Sequence, residues 1–107
     1  MAEAQLEFSA EIADLEPGKT RAVEHEGRAF LLCNVEGEIF AVSNRCSHAA
    51  MPLTDAVLRG SVLECPLHGA RFDVRDGAVV GQPARTPLPV FQVTRSGNRV
   101  RIHLDRG

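Results

Sequence analysis

Two short clips carry the chemistry of this chain: Cys46-Ser47-His48, then sixteen residues, then Cys65-Pro66-Leu67-His68. Each clip offers one thiol and one imidazole. A thiolate and a neutral imidazole suit a borderline or soft metal. Joining two tight loops costs little chain entropy beyond a single closure. Zinc, bound tetrahedrally by two Cys and two His, would satisfy the set. So would a [2Fe–2S] centre in which two His replace two Cys on one iron. The order of residues favours iron. A zinc finger of this composition gathers its Cys in one clip and its His in the other. Alternation within each clip instead lets both clips give sulfur to one iron and nitrogen to the other. A structural zinc site, and Cys and His residues that merely pack in a core, stand as alternatives.

The clips need a frame, and the rest of the chain reads as strands. Candidates are Leu6–Ser9, Thr20–His25, Arg28–Val35, Glu38–Ser43, Ser61–Glu64, Arg71–Val74, Leu88–Thr94 and Arg99–Leu104. Glu26-Gly27, Glu36-Gly37, Asp76-Gly77 and Ser96-Gly97-Asn98 read as hairpin connections between them. Period-two alternation in Phe91–Thr94 and Val100–Leu104 marks half-buried strands. Ile12–Gly18 reads as a single helical turn halted at Pro17-Gly18. The expected fold is an antiparallel all-β domain, a β-sandwich or small barrel. Both clips fall in loops, where packed sheets can hold ligands in register.

Composition narrows the function. A chain of 107 residues holds one core. Trp and Tyr are absent and Phe occurs five times, so Val, Leu and Ala must fill the interior. No apolar run approaches the roughly 20 residues that span a bilayer. The start, Met1–Glu7, has neither the basic nor the apolar region of an export signal, so a cytoplasmic location without membrane contact is expected. Three Cys in a reducing compartment point to a metal site before a disulfide. A net charge of −2 and the lack of any basic run exclude a nucleic-acid binder and leave proteins as the expected partners.

At the clips the sequence resembles the Rieske ferredoxins. Cys46–Leu53 looks like their first cluster loop, Cys65–Asp73 like their second, and Gly81–Leu88 like their proline-rich covering segment. The resemblance implies a single Rieske domain over residues 1–107, with cluster-binding loops at about 44–54 and 64–73 and a covering loop at about 81–89. It implies one [2Fe–2S] cluster per chain, with Cys46 and Cys65 on one iron and His48 and His68 on the other through Nδ1. Each Nε2 would then face solvent as an electron port. The implied role is a one-electron carrier from a flavin-containing NAD(P)H-dependent ferredoxin reductase to a terminal oxygenase that hydroxylates aromatic rings. Such a chain is a carrier and no enzyme itself, and it is expected to be a monomer. A Rieske-like small subunit of nitrite reductase or another reductase is the alternative, with a zinc-stabilised interaction module behind it. A terminal oxygenase is excluded. It needs a second iron held by two His and a carboxylate, and only His25 and His103 remain, near opposite ends of a short chain.

The same resemblance bears on redox potential. High-potential relatives carry a second, disulfide-bonded Cys in each loop where this chain has Met51 and Leu67. They also place hydroxyl donors where it has Ala70 and Phe72. Fewer hydrogen bonds to sulfur leave the reduced state less stabilised and the potential low. The midpoint should be flat near neutral pH and fall at alkaline pH, where the oxidised form acidifies the imidazoles. Outside the clips, Cys33 reads as a small buried hydrophobe, His25 as a solvated hairpin end, and His103 as a surface or half-buried strand residue. Gly69 is expected to permit close approach or a positive φ.

Overall fold

The computed structural model describes residues 7–44, 56–65, 69–81 and 87–104. Among these lie ten strands and no helix: β1 (Glu7–Glu11), β2 (Thr20–His25), β3 (Arg28–Val35), β4 (Glu38–Ser43), β5 (Val57–Arg59), β6 (Val62–Glu64), β7 (Arg71–Asp73), β8 (Val79–Gly81), β9 (Val90–Ser96) and β10 (Arg99–His103). A six-stranded antiparallel sheet runs β1-β10-β9-β4-β3-β2, and a four-stranded one runs β5-β6-β7-β8. The larger sheet curls until its edges approach. Phe8 of β1 stacks on His25 of β2 with ring centroids 4.5 Å apart. Arg21 of β2 donates to the Glu11 carbonyl at 2.8 Å and pairs with Asp14. The outcome is a nearly closed, barrel-like sheet, in agreement with the expected all-β architecture.

Turn chemistry sets the register of the central hairpins. Glu26 and Gly27 take φ of 51° and 80°, and Glu36 and Gly37 take 53° and 97°. Two successive positive φ values make type I′ turns, whose twist matches the strands they join. Pairing accordingly runs from His25↔Arg28 and from Val35↔Glu38 without slippage.

Strand β3 is buried on both faces. Leu31 and Cys33 join Val42 of β4 in one core with Leu63, Ala70, Phe72, Val74 and Leu88, so this core lies between the two sheets. Phe30 and Leu32 turn the other way and join Ile39 and Ala41 of β4 with Ile12, Leu15, Val100 and Ile102. Period-two geometry alone produces this division, since neighbours along a strand point to opposite faces.

Three expectations need correction. Residues 12–18 form no helical turn. Leu15 N–H donates to the Ile12 carbonyl at 3.0 Å and Lys19 N–H to the Glu16 carbonyl at 3.1 Å, giving two successive reverse turns. Pro17 and Gly18 sit at the centre of the second, and Gly18 has φ +85°. A fixed φ followed by a left-handed residue is type II geometry, which ends any helical path. Strands β5 and β8 were not expected; they are the two edges of the four-stranded sheet and form by completing the ladders of β6 and β7. The strand expected from Leu6 runs instead to Glu11, and Leu6 lies outside the described residues.

Asn34 ties the turns of residues 12–19 to this frame. Its side chain, buried in β3, donates to the Leu15 carbonyl at 2.7 Å and accepts from Gly37 N–H at 2.7 Å. Asn34→Ala strands a buried carbonyl and loosens the β3–β4 turn. It should lower the unfolding free energy by about 2 kcal/mol, seen as a lower urea midpoint at unchanged m value.

Candidate metal centre

Of the four predicted ligands, Cys65 is described; Cys46, His48 and His68 lie outside the described residues, as do Met51, Leu67 and positions 82–86 of the covering segment. Residues 45–55 connect β4 to β5, and β6 and β7 form the hairpin that carries the second clip. Strand pairing reaches Glu64↔Arg71, so both ends of the expected 64–73 loop lie within the β6–β7 ladder. Cys65 N–H donates to the Ala70 carbonyl at 2.7 Å, and the Cys65 carbonyl accepts from Gly69 N–H at 3.0 Å. Gly69 has φ +74°, the positive value expected of it.

This hairpin fixes where Cys65 sits. Leu58, Leu63, Phe72 and Val79 face one another across the four-stranded sheet and pack into the inter-sheet core. Residues two apart share a face, so Cys65 continues the row from Leu63 and Ala70 continues it from Phe72. Cys65 is 1 % exposed, and Ala70 and Phe72 are fully buried. Apart from Cys33, every described member of this core is an apolar side chain. A thiolate placed there would need a positive partner, which a metal ion would provide. The donor chemistry of Cys65 is compatible with a metal centre. Ala70 and Phe72, lying in the same core as Cys65, also present no hydroxyl to a sulfur.

Other titratable residues fall elsewhere. Burial pushes the Cys33 thiol from 9.0 up to about 12, so it stays a neutral hydrophobe, as expected. His25 differs from the solvated hairpin end expected. Its ring stacks on Phe8, and its buried Nε2 has no hydrogen-bond partner among the described residues. His103 is half-buried in β10, with Nε2 2.8 Å from Thr94 Oγ1 and Nδ1 3.4 Å from a Glu7 carboxylate oxygen. Neither lies in the core that holds Cys65.

The family described as Rieske [2Fe-2S] domain matches residues 6–92. The chain belongs to that family. Among characterised Rieske proteins, it is 42 % identical over 94 residues to the biphenyl 2,3-dioxygenase ferredoxin component of Rhodococcus jostii (strain RHA1), covering 88 % of each chain. It is similar to the solved ferredoxin of carbazole 1,9a-dioxygenase from Nocardioides aromaticivorans IC177, with a TM-score of 0.83 at 33 % identity over 90 % of this chain and 94 % of the other. It also matches a chain in the complex of reduced oxygenase and oxidized ferredoxin of carbazole 1,9a-dioxygenase, with a TM-score of 0.89 at 28 % identity over 97 % of this chain and 98 % of that one. Among the described residues no helix is long and apolar enough to cross a membrane.

One feature beside the Rieske hairpin escaped sequence reasoning. Gly77 and Leu88 meet, with Leu88 N–H donating to the Gly77 carbonyl at 2.8 Å. The Asp76-Gly77 pair signalled a turn, but no pattern in the chain signals what packs against it.

The buried Cys33 thiol generates a test. Its folded pKa lies above that of the unfolded chain, so its contribution to stability is complete below about pH 9 and is lost as pH rises toward about 12. Unfolding free energy should fall by up to about 1.4 kcal/mol per pH unit across that window. Cys33→Ala should remove that share of the slope in urea titrations at successive pH values.

Proposed function

We propose that this Rieske protein is a ferredoxin, a one-electron carrier between a flavoprotein NAD(P)H-dependent reductase and a terminal oxygenase that hydroxylates aromatic rings. The reciprocal span carries the reading: 88 % of this chain aligns with 88 % of a dioxygenase ferredoxin component. The match to a chain in an oxygenase–ferredoxin complex supports the choice of electron acceptor. On this reading residues 1–107 form a single monomeric, cytoplasmic domain that transfers electrons and catalyses no reaction of its own.

Cys65, seated at the base of the β6–β7 turn, and Cys46, beyond the end of β4, would hold one iron as thiolates. His48 and His68 would hold the other, and the resemblance implies Nδ1 as the ligating atom with Nε2 left for a docking partner. One [2Fe–2S] cluster per chain, when bound, supplies a one-electron couple. The chain's own residues tune that couple. Ala70 and Phe72 are buried in the same core as Cys65 and offer no O–H to sulfur. Met51 and Leu67 permit no disulfide between the loops. With those donors missing, the reduced state is less stabilised and the midpoint falls at the low end of the Rieske range.

Dithionite-reduced protein should give an electron paramagnetic resonance spectrum of low average g, the mark of mixed Cys and His ligation. Protein voltammetry should place the midpoint on the order of −150 mV. Combined replacement His48→Ala and His68→Ala should abolish the red-brown chromophore. A colourless, zinc-containing protein, or a clearly positive midpoint, would overturn this assignment.

A further inference from the structure

Gly77 does more than turn the chain. Its φ is +80°, and its N–H donates to the Asp73 carbonyl at 2.6 Å. A Cβ on Gly77 would overlap the Leu88 carbonyl oxygen and stand 3.1 Å from Val90 Cγ1. Gly18, Gly27, Gly37, Gly60 and Gly97 also have positive φ, yet a Cβ on any of them would meet nothing within 4 Å. Gly77 is therefore required twice, once by its backbone angle and once by the segment lying against its bare α-carbon.

That segment is the return of the chain into β9. Leu88 N–H donates to the Gly77 carbonyl at 2.8 Å, and Leu88 is 1 % exposed in the core that also buries Cys65, Ala70 and Phe72. The next carbonyl, that of Pro89, accepts from Ser43 N–H at 3.0 Å. Ser43 ends β4, three positions before Cys46. Leu88 and Pro89 are thus clamped between the β7–β8 turn and the strand from which the first clip departs.

We infer that Gly77 is a positioning residue for the cluster site: by admitting the Leu88 backbone it fixes where the chain following residues 82–86 re-enters the fold, and through Pro89 it fixes the departure of β4 toward Cys46. The inference rests on the ligand assignment proposed above. Any side chain at position 77 pushes Leu88 outward. That displacement alters the apolar wall of the core holding Cys65 and slackens the Pro89–Ser43 link. Its effect should reach the metal site and exceed a simple loss of stability.

The test compares Gly77→Ala with Gly97→Ala in iron-loaded protein. Gly97, at φ +61°, imposes backbone strain without a contact. Both variants should melt earlier than the parent. Only Gly77→Ala should change the g values of the reduced protein and shift the oxidised-to-reduced ratio at fixed potential by threefold or more. Equal melting losses with an unchanged spectrum and ratio in Gly77→Ala would overturn the inference. Should Gly77→Ala fail to fold, hydrogen exchange of the parent protein decides. Leu88 N–H and Ser43 N–H should exchange as slowly as the β3–β4 ladder, and exchange at loop rates would refute a fixed seat. A parent protein lacking the mixed-ligand spectrum defeats the proposed function instead, and the exchange measurement still judges the seat.

Discussion

The antiparallel ladder of β3 against β4, from Phe30↔Ser43 to Val35↔Glu38, is buried from both sides, and both cores are built on it. Its residues alternate between the inter-sheet core and the interior of the curled sheet. Each large apolar side chain moved out of water there contributes about 1.5–3 kcal/mol, so neither core can loosen without exposing the other's wall. The type I′ turns at both ends of β3 pin its register. A slip by one residue would exchange every side chain between the two cores, which differ in shape and in what they hold.

Against this wall the four-stranded sheet lays a single inward row, Leu58, Leu63, Phe72 and Val79, and the β6–β7 hairpin continues that row to Cys65 and Ala70. Cys65, the first residue of the second clip, is therefore mounted on a packed ladder, its N–H donating to the Ala70 carbonyl and its carbonyl accepting from the Gly69 N–H. A residue held at both backbone groups has little freedom of its own. Its position follows from the core beneath it, in keeping with the rule that precise sites sit on rigid elements. The base of the first clip is anchored similarly, since Asn44 N–H donates to the Ala29 carbonyl at 3.0 Å and Ser43 N–H to that of Pro89.

Legibility followed the length of the repeating signal. Strands β2, β3 and β4 coincide with the expected Thr20–His25, Arg28–Val35 and Glu38–Ser43, because six to eight residues bounded by Glu-Gly turns show both periodicity and punctuation. Strands β5 and β8 left no trace; equally short β6 and β7 were legible, whereas these two edge strands exist only as partners to a neighbour. Pro17-Gly18 was legible as a stop, yet it closes a reverse turn in place of a helix, and the side chain that secures that segment, Asn34, lies in a distant strand. The candidate ligands were legible from residue type and spacing alone. The surroundings of Cys65 were not, since Leu31, Cys33, Val42 and Leu88 join its core from three other parts of the chain.

The sequence by itself determined the candidate donor set, its alternation within each clip, the strand character of the frame and the lack of a hydroxyl at positions 70 and 72. Those are properties of residue identity and near spacing, which survive in any conformation. Only the tertiary structure decided which core each face of β3 serves, that Cys65 lies buried with Ala70 and Phe72, that His25 closes a seam with Phe8, and that Gly77 receives Leu88. Each of these depends on backbone segments far apart in sequence meeting at van der Waals distance. No local pattern encodes such a meeting, because it follows from how two sheets pack.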